Sequence, residues 1–189
     1  MRRLAVVVVV AALLLSAWGC VDQTRAANDA IARANAKSEE YAALDAEVTQ
    51  LLDEAASVDF TPEGVQPAFA KLDEARAKIE ERQQVVAAIR AEFESIGSLR
   101  VSDDVKQYAA MQVAIADLLA QADEKALALI DSTKAFYERI AAKTADSDEG
   151  KALAESLVKM SDEIEQLSAL IAKKQAEADA YFEERLSGE

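Results

Sequence analysis

Cys20 is the only thiol in the 189-residue chain, and the chain contains no histidine. A cysteine acts as a nucleophile or a metal ligand in its thiolate form, and histidine is the usual base near neutral pH. Without histidine, Cys–His and Ser–His–Asp catalysis and zinc sites built on these side chains are excluded. No second cysteine can form a disulfide with Cys20 within the chain. The chemistry left to Cys20 is modification of its sulfur.

Carboxylates are the other reactive groups, and one dense run of them is DSDEG at 146–150. A calcium-binding EF-hand loop needs a glycine at its sixth position and an acid at its twelfth. Counted from Asp146, the glycine comes one residue early and the twelfth position is Leu157. The run therefore predicts a turn and a helix start, with Asp146 and Glu149 at the spacing of a capping box. We expect no metal, no cofactor and no enzymatic activity.

The first twenty residues have the layout of a secretory signal peptide. Arg2 and Arg3 form its positive end, residues 4–15 form its apolar core, and a short segment then leads to Gly19 and Cys20. This layout predicts export of the rest of the chain, because the positive end stays on the cytoplasmic side.

A cysteine that follows a small residue at this point resembles the lipobox of bacterial lipoproteins. In that class the cysteine receives fatty acids, palmitate among them, and becomes the mature N-terminus. The resemblance implies a signal peptide at 1–19, lipidation at Cys20 and a lipidated tether at 20–26. The alternatives are plain secretion and an uncleaved signal anchor, since residues 4–21 reach the lower length limit of a membrane span.

The charge balance bears on the partner. The chain has 21 basic and 35 acidic residues and a net charge of −14. Both Arg2 and Arg3 precede Cys20, so without residues 1–19 the balance is 19 (21 − 2) against 35, a net charge of −16. A nucleic-acid binder needs a basic surface to displace counterions from phosphates. The sequence therefore predicts that the protein does not bind nucleic acid.

Glycine and proline occur only five and two times, and apolar residues after the leader recur at alternating steps of three and four. This period is typical of long helices that pack at coiled-coil-like angles. The predicted helices span about 27–57, 62–97, 102–144 and 148–186. Short connections make neighbouring helices antiparallel. We therefore expect an all-α fold, an elongated antiparallel up-down four-helix bundle over 27–189.

The start of the second predicted helix has two candidate positions. Thr61 is a suitable cap for a helix with Pro62 at its first position. Pro67 is the other candidate, with Gln66 before it.

An up-down topology sorts the connections between the two ends of the bundle. It places 58–64 and 144–150 far from the membrane, and 97–102 and the C-terminus near it. The near end gathers basic residues that suit anionic headgroups, namely Arg25, Arg100, Lys106 and Arg185. The far end, which we call the tip, is acidic. Its candidate partner contacts are Asp59, Phe60, Glu63, Asp146 and Asp148.

Two segments carry a resemblance to the cell-wall-binding lipoproteins of Gram-positive bacteria. They are ALALIDSTKAFYERIAAKTAD at 126–146 and ALIAKKQAEADAYFEERL at 169–186. The resemblance implies a lipobox, a helical domain of about this size and a role in contact with the cell envelope.

These observations together lead to one functional expectation and two alternatives. We expect a lipid-anchored protein outside the cytoplasmic membrane, with a non-catalytic structural or protein-interaction role and an envelope protein as partner. One alternative is a carrier or chaperone-like module that binds a hydrophobic cargo within the bundle, with Met111 and Met160 lining the space. The other alternative is self-association into longer coiled coils.

Overall fold

The computed structural model describes residues 21–187, and within them it contains four α-helices and no strand. The helices are α1 (Val21–Ala56), α2 (Gln66–Gly97), α3 (Asp103–Ala141) and α4 (Asp148–Arg185). The predicted all-α four-helix fold is confirmed. The predicted signal peptide at 1–19 and the predicted lipidation site, Cys20, lie outside the described residues.

The start of α1 differs from its prediction. A tether was expected at 20–26 and a helix from 27, whereas α1 begins at Val21. Residues 21–26 contain neither glycine nor proline, so nothing in the local sequence interrupts a helix that packing fixes further along. That packing begins at Ala27 and Ala30, which are each 1% exposed.

The α1–α2 connection decides between the two predicted starts of α2. Residues 62–65 form a separate turn, in which the backbone N–H of Gly64 donates to Thr61 Oγ1 at 3.0 Å. The helix itself begins at Gln66, with Pro67 as its second residue. Pro67 has no N–H to donate, and the first turn of a helix leaves its N–H groups unpaired in any case. The start at Gln66–Pro67 is therefore right, and the start at 62 is wrong.

The C-terminus of α3 comes earlier than the predicted residue 144. Thr144 N–H donates to the Arg139 carbonyl at 2.8 Å, and Lys143 N–H donates to the Ile140 carbonyl at 3.0 Å. Lys143 has a left-handed backbone with φ of 58°. Together these features form a Schellman motif, which closes a helix. Glycine is the usual residue at the left-handed position, so a lysine there gives little sequence warning that the helix ends.

The start of α4 corrects the predicted capping box. The cap is Ser147, whose Oγ accepts a hydrogen bond from Gly150 N–H at 3.1 Å. The third residue of α4 is then Gly150, which has no side chain to reach back to the cap. A Cβ at Gly150 would overlap the carbonyl oxygen of Ala145. The Asp146–Glu149 pairing was therefore one residue out of register.

The four helices contribute to two compact units. Unit 1 contains residues 21–42, Gln84–Ala120 and residues 168–187. Unit 2 contains Ala43–Gln83 and Gln121–Leu167. Each helix therefore has one part in each unit.

Unit 1 has a core to which all four helices contribute buried apolar side chains. Tyr108 on α3 lies near its centre, with ring centroids 6.1 Å from Phe93 on α2 and 5.3 Å from Phe182 on α4. Helix α1 adds small residues such as Ala27 and Ala34, which are buried to 1% and 0% exposure. Small side chains on α1 leave room for the aromatic rings of the other helices.

Unit 2 is built differently, because its buried core comes from α1, α2 and α3. The fully buried side chains of its apolar cluster include Leu72, Ile79 and Ile130. The part of α4 within unit 2 contains no buried apolar side chain. Its predicted core positions are only half-buried, namely Leu153, Leu157, Met160, Ile164 and Leu167.

Candidate functional site

The two connections of the predicted tip both belong to unit 2 and pack on the same apolar cluster. Val58 in the α1–α2 connection and Ala145 in the α3–α4 connection are partly buried against it. The start of α4 is held to the end of α3 by an ion pair between Arg139 and Glu149 at 2.6 Å. Both connections of the predicted tip therefore pack on the apolar cluster of unit 2.

Tyr137 on α3 contacts residues of α1, α2 and the α1–α2 connection in this part of unit 2. Its ring is 4% exposed, and its hydroxyl donates to the carbonyl of Ala55 at the end of α1, at 2.9 Å. Phe69 and Phe136 pack against it with ring centroids 6.4 Å away in each case. Burial raises the pKa of Tyr137 above its ordinary value, so the hydroxyl keeps its proton and remains a donor.

Phe60 lies above Tyr137, with ring centroids 6.1 Å apart in an edge-to-face arrangement. It is nevertheless 62% exposed. The ring of Phe60 thus packs on the core through Tyr137 and still presents most of its surface to solvent.

The backbone around Phe60 is fixed by short-range contacts. Thr61 N–H donates to the Asp59 carbonyl at 2.8 Å, and Val65 N–H donates to the Thr61 carbonyl at 3.1 Å. Val65 is fully buried. A Cβ at Gly64 would overlap the Asp59 carbonyl oxygen, so the turn closes tightly only with glycine there. The exposed ring is therefore carried on a defined turn.

The acidic groups of the tip fall into two classes. Glu54 pairs with Lys71 at 2.7 Å, which holds the pKa of Glu54 below its usual range, and Glu149 pairs with Arg139. The four predicted acidic contacts are exposed and form no ion pair with any residue in 21–187. These four are Asp59, Glu63, Asp146 and Asp148. Phe60 is therefore an exposed apolar residue that lies in the chain between two unpaired acids, Asp59 and Glu63.

The basic residues predicted for the opposite end all belong to unit 1. They are Arg25, Arg100, Lys106 and Arg185. The backbone N–H of Arg100 donates to the side chain of Gln23, and Tyr181 donates to Asp104 at 2.8 Å. The α2–α3 connection, the start of α1 and the end of α4 therefore meet within unit 1. The orientation of this end towards a membrane stays a prediction.

A second polar site, which was not predicted from the sequence, lies inside unit 2. Arg82 on α2 is 5% exposed and forms ion pairs with Asp45 on α1 and Asp123 on α3. Asp123 is completely buried. We call these three residues the buried ionic cluster. Asp123 is thus an acid in the interior of unit 2 and not on a solvated helix face.

The sequence does contain a signal for this cluster. In the second apolar run, Ile79 and Val86 are seven residues apart, and Arg82 occupies the core position between them. Asp123 likewise follows Ala122 on the inward side of α3. A charged residue is almost never fully buried unless it is paired. A charged residue at a core position of a helix therefore indicates that an oppositely charged side chain lies beside it in the interior.

Three further findings concern ligands and membranes. Among residues 21–187, no three or more acidic, cysteine or histidine side chains are grouped so that they would hold a metal ion. In the same part of the chain, none of the helices is both long and apolar enough to cross a membrane. Met111 belongs to unit 1 and Met160 to unit 2, so the two methionines proposed for a cargo space lie in different units.

Comparison of the chain with protein-family models, curated proteins and solved structures finds no match in any of the three. The class that the fold itself defines is an all-α four-helix bundle.

Proposed function

We propose that this chain is a lipid-anchored protein on the extracytoplasmic side of the cell membrane, where its tip binds another envelope protein without catalysis. The observation that supports the proposal most is the exposed ring of Phe60, which packs against Tyr137 and lies in the chain between the unpaired acids Asp59 and Glu63. Aromatic side chains, phenylalanine among them, are enriched at protein–protein interfaces relative to the rest of the protein surface.

The side chains of the tip indicate what kind of surface the partner would present. An apolar socket would receive Phe60, and a rim of lysine or arginine would face the four unpaired acids. Anionic wall polymer fits less well, because it would be repelled by Asp59, Glu63, Asp146 and Asp148. A basic protein surface is therefore the proposed partner.

The fixed turn at Asp59–Val65 adds to this argument. A binding loop that is already ordered loses less conformational entropy when it binds. The hydrogen bonds of Thr61, Gly64 and Val65 hold the turn before any partner arrives.

Site-specific crosslinking tests the tip. A photoreactive phenylalanine analogue at Phe60 should form an adduct with one envelope protein when cells are irradiated, because the ring is the proposed point of insertion. Val158 on α4 is the matched control, since it is 64% exposed against 62% for Phe60. We expect no adduct from the same analogue at Val158. The measurement is the adduct yield on a denaturing gel.

Charge reversal at the rim makes this test specific. The double substitution Asp59→Lys and Glu63→Lys should reduce the adduct yield at position 60 several-fold, since it removes the attraction for a basic rim. Equal adducts at 60 and 158, or a yield that charge reversal leaves unchanged, would contradict the proposed contact.

The lipid anchor is supported by the leader and by the absence of any other use for the thiol of Cys20. Metabolic labelling with a fatty-acid analogue should mark the wild-type protein, and Cys20→Ala should abolish the label because the acceptor sulfur is gone. Membrane fractionation of both proteins provides the second readout. Equal labelling of both forms, or of neither, would leave a secreted or signal-anchored bundle instead.

A further inference from the structure

We propose that the buried ionic cluster of Asp45, Arg82 and Asp123 is a proton-binding site that makes the stability of unit 2 depend on ambient pH. This inference concerns the interior of unit 2 and does not depend on the proposed partner or on the lipid anchor.

The geometry of the cluster creates an excess of negative charge. One guanidinium group faces two carboxylates, each 2.5 Å from a different terminal nitrogen of Arg82. The side chain of Asp123 is 0% exposed, that of Arg82 is 6% exposed, and that of Asp45 is 30% exposed. A single positive charge cannot balance both acids, and an uncompensated charge is costly in the interior of a protein.

Asp123 is the member of the cluster that is best placed to take the proton. Its second oxygen, Oδ2, is buried and accepts no hydrogen bond from residues 21–187. A proton on this carboxyl would remove the excess charge while Arg82 and Asp45 keep their ion pair. Asp45 is the more accessible of the two acids, so water stabilises its charged form better.

Within residues 21–187, the lysines nearest in sequence to the cluster on α2 and α3 are each paired with another acid. On α2, Lys78 lies one turn before Arg82 and pairs with Glu47 of α1 at 2.8 Å. On α3, Lys125 lies two residues after Asp123 and pairs with Glu163 of α4 at 2.6 Å. Each neighbouring lysine is therefore already matched by an acid of its own.

The electrostatics agree with this assignment. Burial raises the pKa of Asp123, Arg82 opposes this shift and the nearby charge of Asp45 adds to it, so that the pKa lies at about 6. Burial also raises the pKa of Asp45, against the opposing effect of Arg82. An aspartate whose pKa is higher in the folded than in the unfolded protein stabilises the fold below its unfolded pKa. That contribution is lost as the pH rises through the folded pKa. The affected interval therefore runs from about pH 4 to about pH 6.

Urea unfolding of the full chain in non-ionic detergent, followed by circular dichroism, tests the site. Asp123→Asn mimics the protonated carboxyl at every pH. Between about pH 5 and about pH 7.5, the unfolding equilibrium constant of the wild type should rise about tenfold relative to that of Asp123→Asn. Taking this ratio cancels the pH dependence of the groups that do not interact with Asp123. A ratio that stays constant with pH would overturn the proposal.

A surface variant and a direct titration complete the test. Asp117→Asn is the surface control, since the side chain of Asp117 is 49% exposed and pairs with Arg90. The ratio of its unfolding equilibrium constant to that of the wild type should stay constant over the same pH range. Carbon-13 NMR of the folded wild type should show one aspartate carboxyl titrating near pH 6, and Asp45→Asn should shift that midpoint to lower pH. If every aspartate titrates below about pH 5, the site does not exist, even if Asp123→Asn fails to fold.

Discussion

Replacing Arg82 with methionine is expected to lower the free energy of unfolding by about 3–5 kcal/mol near neutral pH. Methionine keeps much of the volume of the arginine stem but removes the only cation between Asp45 and Asp123. Asp123 is 0% exposed, so its charge would be uncompensated in the interior of unit 2, and neutralising it by protonation near neutral pH would also cost free energy. Urea unfolding of both proteins at the same pH measures the difference.

Two controls distinguish the effect of leaving buried acids without a cation from the effect of removing any arginine side chain. Arg90→Met removes a guanidinium whose side chain is 44% exposed and which pairs with Glu94 and Asp117. Surface pairs of this kind contribute about 1 kcal/mol or less, so the loss should be small. The combination of Arg82→Met with Asp45→Leu and Asp123→Leu should recover most of the stability, because no buried charge remains. Equal losses for Arg82→Met and Arg90→Met would show that the buried ionic cluster has no special cost.

Replacing Tyr137 with alanine is expected to lower the free energy of unfolding by about 3–5 kcal/mol, the usual loss for a large buried aromatic side chain. The substitution leaves a cavity between Phe69 and Phe136 and breaks the bond to the Ala55 carbonyl. It also removes the ring on which Phe60 rests, so the α1–α2 connection should lose order. Urea unfolding measures the first effect, and amide NMR signals of residues 58–65 report the second.

Tyr137→Phe is the matched control for this substitution. It keeps the ring contacts to Phe60, Phe69 and Phe136 and removes only the hydroxyl, whose hydrogen bond to Ala55 has a net value of about 1 kcal/mol. If Tyr137→Phe were as damaging as Tyr137→Ala, the hydrogen bond rather than the aromatic packing would support the tip. If neither mattered, Tyr137 would not be the support described above.

The parts of the fold that could be predicted are those set by local sequence. The period of the apolar residues fixes the four helices, and Ser102 caps α3 as its position suggests, with its Oγ accepting from Val105 N–H at 3.3 Å. The helix ends were harder to predict, since several consecutive residues have side chains that can cap a helix. Asp146 and Ser147 are both good caps, and the structure uses Ser147, whose Oγ accepts from Gly150 N–H.

The candidate sites show the same division between local and long-range information. Phe60 and the tip acids could be placed together, because chain connectivity alone brings both connections to one end. The buried ionic cluster could not, because its three members lie on three helices and pairing depends on how those helices are rotated. The sequence places Arg82 in an apolar run, but it does not say which acids Arg82 would meet.

The shallow burial of α4 in unit 2 has a consequence for how the protein opens. Cooperative unfolding units are held together by buried apolar contacts, and segments with few of them detach at lower free energy than the rest. Residues 148–167 contribute no buried apolar side chain, whereas α1, α2 and α3 share a dense cluster. We therefore expect the first half of α4 to unfold locally at a lower free energy than the other helices of unit 2. Its detachment would uncover the adjoining face of α3 while the three-helix core remains folded.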